Sequence, residues 1–194
     1  SGVARAQIPV TDAANITQSI VNSVTELVQT STTAENMIGN FKETMKIYRQ
    51  GKEYYDRLRN VTHLVRDARK VQQSILLVGE LSDIYVTSYD KMLTDDNFSS
   101  AELSAIAAGY NKLMERGMNS LKDLKEIVNP TDYSMTDKER LDRIDQAHGE
   151  LTHTRDLMVY YTRKNISVSY LRSQRKNDTQ RVLDLYGSPD EKYW

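Results

Sequence analysis

The sequence contains no cysteine among its 194 residues. That excludes disulfides, thiol nucleophiles and thiolate metal sites, and it leaves the redox compartment open. Proline and glycine are scarce, at 3 and 8 residues, so few positions force a break in a helix. Neither sign of charge dominates: 26 basic against 27 acidic residues give a net charge of −1, with both signs interspersed. Nothing in that balance suggests the broad basic face that a nucleic-acid backbone requires. The aliphatic run Ile75-Leu76-Leu77-Val78 is only four residues long, far short of the about 20 apolar residues that span a bilayer. No strand is expected, and there is no internal repeat or low-complexity tract.

Helical periodicity is what the sequence does have. Asp12 is a candidate N-cap following Pro9, and Ile20, Val24, Leu27, Ser31, Ala34, Ile38, Phe41, Met45 and Tyr48 then step by fours and threes. That heptad seam predicts a helix from about residue 12 to about residue 50, with Gly51 as a candidate break. Tyr54, Leu58, Val61, Val65, Ala68, Ile75, Val78, Leu81 and Tyr85 predict a second helix to about Leu93, most deeply buried from Ile75 to Leu81. The turn-forming composition of Thr94 to Ser99 ends it. Ser99 with Glu102 has the form of a capping box ahead of a third helix, whose face reads Leu103, Ile106, Tyr110, Leu113, Gly117, Leu121, Leu124 and Val128 and which Asn129-Pro130 stops. Thr136-Asp137-Lys138-Glu139 is a second capping box. Behind it Leu141, Ile144, Leu151, Met158, Tyr161, Val168 and Leu171 predict a helix to about Tyr186, terminated by Gly187-Ser188-Pro189. The expected fold is all-α, an elongated antiparallel bundle of three to four long helices with coiled-coil character.

The expected organisation is a leading stretch over residues 1–11, the bundle over 12–187 and a C-terminal tail over 188–194. In the leading stretch Ser1-Gly2 reads as a cloning scar, and Ala4-Arg5-Ala6 before Gln7 has the small-x-small form of a signal-peptidase site.

A search for chemistry returns little. His148 and His153 lie five apart on a helix, rotated by roughly 140° from each other at 3.6 residues per turn, so they cannot pinch one metal ion as an i, i+4 pair does. His63 stands alone. The carboxylate neighbours Asp142 with Asp145, and Glu80 with Asp83, read as solvated helix faces, and Asp95-Asp96-Asn97 lacks the loop of a calcium site. No phosphate-cradling glycine loop and no nucleophile elbow occurs. The expectation is therefore no enzyme, no metal, no cofactor, no small-molecule substrate and no direct nucleic-acid contact.

The aromatic content is lopsided, with 12 Tyr against 2 Phe and 1 Trp. Tyrosine suits half-buried helix edges, the reading for Tyr54, Tyr55, Tyr110, Tyr160 and Tyr161, and it suits protein interfaces equally. Tyr186, Tyr193 and Trp194 are candidate partner-docking aromatics. The basic run holding Arg172, Arg175 and Lys176 is the candidate partner-facing patch.

Several blocks resemble a known family. Gln18 to Val24, Ile47 to Tyr55, Val65 to Gln73, Ser134 to Arg140 and Lys164 to Arg172 look like the conjugative-transposon transfer proteins of Bacteroidetes, from about Ile8 to the Tyr-Trp ending. That family in turn resembles the exported TrbJ-like minor pilus components of type IV secretion systems. The resemblance implies a precursor whose signal peptide is removed, a periplasmic or cell-surface location and other proteins of the transfer apparatus as partners. It carries no catalytic motif. The alternative from the residues alone is a cytosolic helical scaffold or export chaperone.

Overall fold

A computed structural model of the chain describes residues 31–59, 66–128 and 135–189, and among these every regular element is a helix. In chain order they are α1 (Ser31–Arg59), α2 (Arg66–Leu93), α3 (Ser100–Val128), α4 (Asp137–Arg175) and α5 (Thr179–Tyr186). The expected start near residue 12 and the side chains of Ala34, Phe41, Tyr48, Tyr54, Tyr55, Leu58 and Ala68 lie outside what is described.

Both capping boxes form. Ser99 Oγ accepts from the Glu102 N–H at 3.3 Å while Glu102 Oε2 accepts from the Ser99 N–H at 2.9 Å. Thr136 and Glu139 repeat the exchange at 3.2 and 2.8 Å. Each box satisfies two N–H groups, one of them among the donors that a helix start leaves without an intrahelical partner.

Side-chain contacts set the directions of the helices. Between α2 and α3, the Tyr89 hydroxyl donates to the Leu103 carbonyl at 2.7 Å, Tyr85 stacks on Tyr110, and Leu81 lies against Gly117. Residue numbers fall on one helix as they rise on the other, so the pair is antiparallel. Arg172 with Glu102, Thr162 with Tyr110 and Glu150 with Arg116 make α4 antiparallel to α3 in the same way. α2 and α4 therefore run parallel, tied by Lys70 to Asp145 and Glu80 to Arg155. α1 packs on α2 and α3, and α5 turns back onto α4 and α2.

α2 touches every other described helix. Val71, Ile75, Val78, Leu81, Ile84, Tyr85, Tyr89 and Met92 on it are buried, so the deep zone expected from Ile75 to Leu81 continues to the helix end. There Tyr85, Tyr89, Tyr110 and Tyr161 form one aromatic cluster, with neighbouring rings stacked at 4.7 Å or meeting edge-on at 5.0 to 6.4 Å.

Four expectations need correction. Gly51 does not end α1; it is buried where the helix crosses its neighbours, and a Cβ there would stand 3.5 Å from Val78 and 4.0 Å from Leu121. A lone glycine inside a helix costs about 1 kcal/mol, and these Cβ distances are ordinary van der Waals ones, so the helix passes through the position with room for alanine. In the heptad seam Met45 is buried, but Met37 and Thr44 are fully buried beside it while Ile38 is only half-buried. The last long helix does not reach Tyr186. It stops at Arg175, where Asn177 takes φ 54° and the N–H groups of Asn177 and Asp178 bond to the carbonyls of Gln174 and Ser173. That is a Schellman ending with asparagine in the left-handed position.

The fourth correction concerns the inner stripe of α4. It runs Ile144, Ala147, Leu151, Thr154, Met158, Thr162, Ile166, Ser169, Ser173, while Leu141, Val168 and Leu171 are exposed. Toward its C-terminal half this stripe faces tyrosine hydroxyls and turn polar groups, so Ser and Thr fill it in place of aliphatic residues.

Candidate functional site

The densest polar cluster sits at the end of the molecule where α2 turns into α3. Residues 94–99 form a compact turn closed by the Asp95 N–H on the Met92 carbonyl and the Phe98 N–H on the Asp95 carbonyl, at 3.1 and 3.2 Å. Asp95 points inward and is 2 % exposed. A buried carboxylate is tolerated only when its oxygens are satisfied. Here Oδ1 accepts from the Asn97 N–H at 3.0 Å with the Arg181 guanidinium at 3.7 Å, and Oδ2 accepts from the hydroxyls of Ser169 and Tyr186.

α4 clamps the rest of the turn. Arg172 donates to both oxygens of Glu102, at 2.6 and 3.0 Å, and to the Asn97 carbonyl at 2.6 Å, and it lies over the Phe98 ring. Lys176 donates to Asn97 Oδ1 at 2.9 Å, and Asn97 Nδ2 donates to Ser169 Oγ at 3.1 Å. The bidentate Arg172 contact, followed by the Ser99 N–H, holds the Glu102 carboxyl down at about 2. Burial, followed by the hydrogen bond to Asp95, pushes the Tyr186 hydroxyl well above the ordinary tyrosine range.

This geometry redistributes the expected docking residues. Tyr186 is a core residue at 5 % exposure, with its hydroxyl on Asp95, so it presents no surface aromatic. Arg172 and Lys176 face the turn, Ser173 between them is buried, and Arg175 is exposed. The basic run is thus split between inward and outward faces. Tyr193 and Trp194 lie outside the described residues.

Sequence reasoning missed Asp95, Asn97, Ser169 and Arg181. The Asp-x-Asn signature of a side-chain-closed turn was available for the first two; nothing local marked the others. Elsewhere, His148 is half-buried, with desolvation and then Lys70 lowering its pKa, while His153 is exposed and His63 lies outside the described residues. Asp145 pairs with Lys70 and Glu80 with Arg155. Among the described residues no group of three or more His, Cys, Asp or Glu could hold a metal ion, and no helix is long and apolar enough to cross a membrane. Asp95, closed from water and held by four partners, ties α4 and α5 to the turn.

Residues 1–41 match a family described as a domain of unknown function, DUF4141, which is associated with conjugative-transposon proteins. Of that segment, residues 31–41 open α1. No curated protein and no solved structure matches the chain.

Proposed function

We propose that this protein is a non-enzymatic structural and interaction component of a conjugative DNA-transfer apparatus of the type IV secretion class, with a minor-pilus or channel-assembly role. The observation that carries this reading is the match of residues 1–41 to a domain associated with conjugative-transposon proteins. The family blocks spread from Ile8 to Trp194 support it. So does the use made of the densest polar cluster, where Asp95, Glu102, Arg172 and Tyr186 fasten helices to one another. In this reading the mature chain acts in the periplasm or at the cell surface after loss of a signal peptide. An elongated antiparallel bundle with coiled-coil character then offers long faces to neighbouring subunits.

Two experiments test it. In-frame deletion of the gene should abolish transfer and complementation should restore it; an unchanged conjugation frequency would sink the role. Fractionation with mass determination of the native protein should find a chain beginning at Gln7 in the periplasm. An uncleaved cytosolic chain would replace the exported component with a helical scaffold or export chaperone.

A further inference from the structure

The outward face of α4 is the least expected surface of the molecule. At 3.6 residues per turn, Tyr160, Lys164, Val168, Leu171 and Arg175 advance by fours and a three and share one face, away from the buried stripe of Met158, Thr162, Ile166 and Ser169. Tyr160 is 62 % exposed, Leu171 59 % and Val168 36 %. Large apolar side chains on a helix face that no other described element covers mark a contact surface.

Charge says what kind. From Leu157 to Asn177 there are five basic residues, Arg163, Lys164, Arg172, Arg175 and Lys176, and no acidic one, in a chain whose net charge is −1. Arg172 and Lys176 are engaged by the turn. Arg163, Lys164 and Arg175 are exposed beside the apolar ridge, and no ion pair among the described residues engages them. Lys164 instead rests against Tyr160, 5.7 Å from the ring centroid. Three acids at this end are engaged by other partners, Glu102 by Arg172, Asp178 by Arg181 and Asp184 by Gln180, while Asp96 on the turn is exposed.

We propose that this face is a peripheral docking surface for an anionic lipid bilayer, on which α4 lies without crossing. The aliphatic and tyrosine side chains would enter the headgroup boundary while the long basic side chains reach the phosphates. A second copy using the same face would bring like charges together. A helical peptide prefers a groove, and this surface is a ridge.

The test uses the full chain in vesicle flotation. Vesicles of phosphatidylcholine with an equal amount of phosphatidylglycerol should carry the protein at least about tenfold better than phosphatidylcholine alone, and added salt should weaken the binding. Leu171→Asp should lower partitioning by about tenfold, and the triple change Arg163→Gln, Lys164→Gln, Arg175→Gln by roughly a hundredfold. Lys122→Gln, an exposed basic position on α3, should leave it unchanged. All five sites are exposed, and circular dichroism melts check that the variants fold. Equal binding to neutral vesicles, or full binding by the Leu171 and triple variants, overturns the proposal. Capture of poly-L-glutamate without vesicle binding also overturns it, and would assign the face to an acidic protein.

Discussion

Gly109 and Gly149 both sit inside long helices, where alanine is intrinsically favoured by about 1 kcal/mol. Their surroundings give opposite expectations. A Cβ on Gly109 would lie 2.2 Å from the Tyr161 hydroxyl oxygen and 2.5 Å from its Cζ, while one on Gly149 would meet nothing within 4 Å. To make room, Tyr161 must give up its hydrogen bond to the Ile106 carbonyl and its edge-on contact with Tyr110. Gly109→Ala should therefore destabilise by about 1–3 kcal/mol, at roughly 2–4 °C in Tm per kcal/mol for a chain of this size. Gly149→Ala should raise Tm. Melts that shift the same way for both would show that Tyr161 is not the obstacle. Tyr186→Phe removes one donor from buried Asp95 and should cost about 1–2 kcal/mol. Hydrogen exchange should quicken in α5 before it does in α2 or α3, because the other attachments of α5 are few.

Element boundaries separate what the sequence makes legible from what it hides. The turn at residues 94–99 and both capping boxes are readable because their hydrogen bonds join residues at most four apart. Gly51 and Asn177 were misjudged for opposite reasons. At Gly51 the helix is buried beside Val78 and Leu121, far away in sequence, whereas the stop at Asn177 is local but uses asparagine where glycine is the usual signal. Asn177→Gly, which removes the Cβ, should leave Tm unchanged or higher, and Asn177→Ala, which keeps the strained Cβ but loses the short polar side chain that lets asparagine enter the left-handed region, should lower stability by about 1 kcal/mol. Equal melts for the two variants would remove that strain from the account. The α4 stripe was lost in a different way. Its hydroxyl side chains look solvent-facing until Tyr110 and Asp95 are placed opposite Thr162 and Ser169. The candidate site suffered most, since Ser169 and Tyr186 lie 74 and 91 residues beyond Asp95.

For the whole molecule, pH response has two edges. Arg172, then Ser99, lower the Glu102 carboxyl from 4.5 to about 2. A depressed folded-state pKa gives stability that is present above about 4.5 and is lost as pH falls toward 2. Tyr85, Tyr89, Tyr110 and Tyr186 are shifted upward from 10.0, chiefly by burial. That contribution is present below pH 10 and is lost as pH rises beyond it. Tm measured across pH should fall at both ends. Glu102→Gln should flatten the acid limb alone, and the part of the tyrosinate absorbance that belongs to these buried tyrosines should appear together with alkaline unfolding rather than ahead of it. The distances along the chain that close the end of the bundle also order its assembly in time. The α2–α3 hairpin joins Tyr89 to Leu103, 14 residues apart, and can form before α4 has emerged into the compartment where the chain folds. Asp95 has its neighbour Asn97 by then, but Ser169, Arg181 and Tyr186 have not yet emerged, so water solvates the rest of the carboxyl group. The eight-residue helix that is last among the described ones therefore closes this end of the bundle over Asp95, and any factor that holds the emerging chain has until Tyr186 appears to let go.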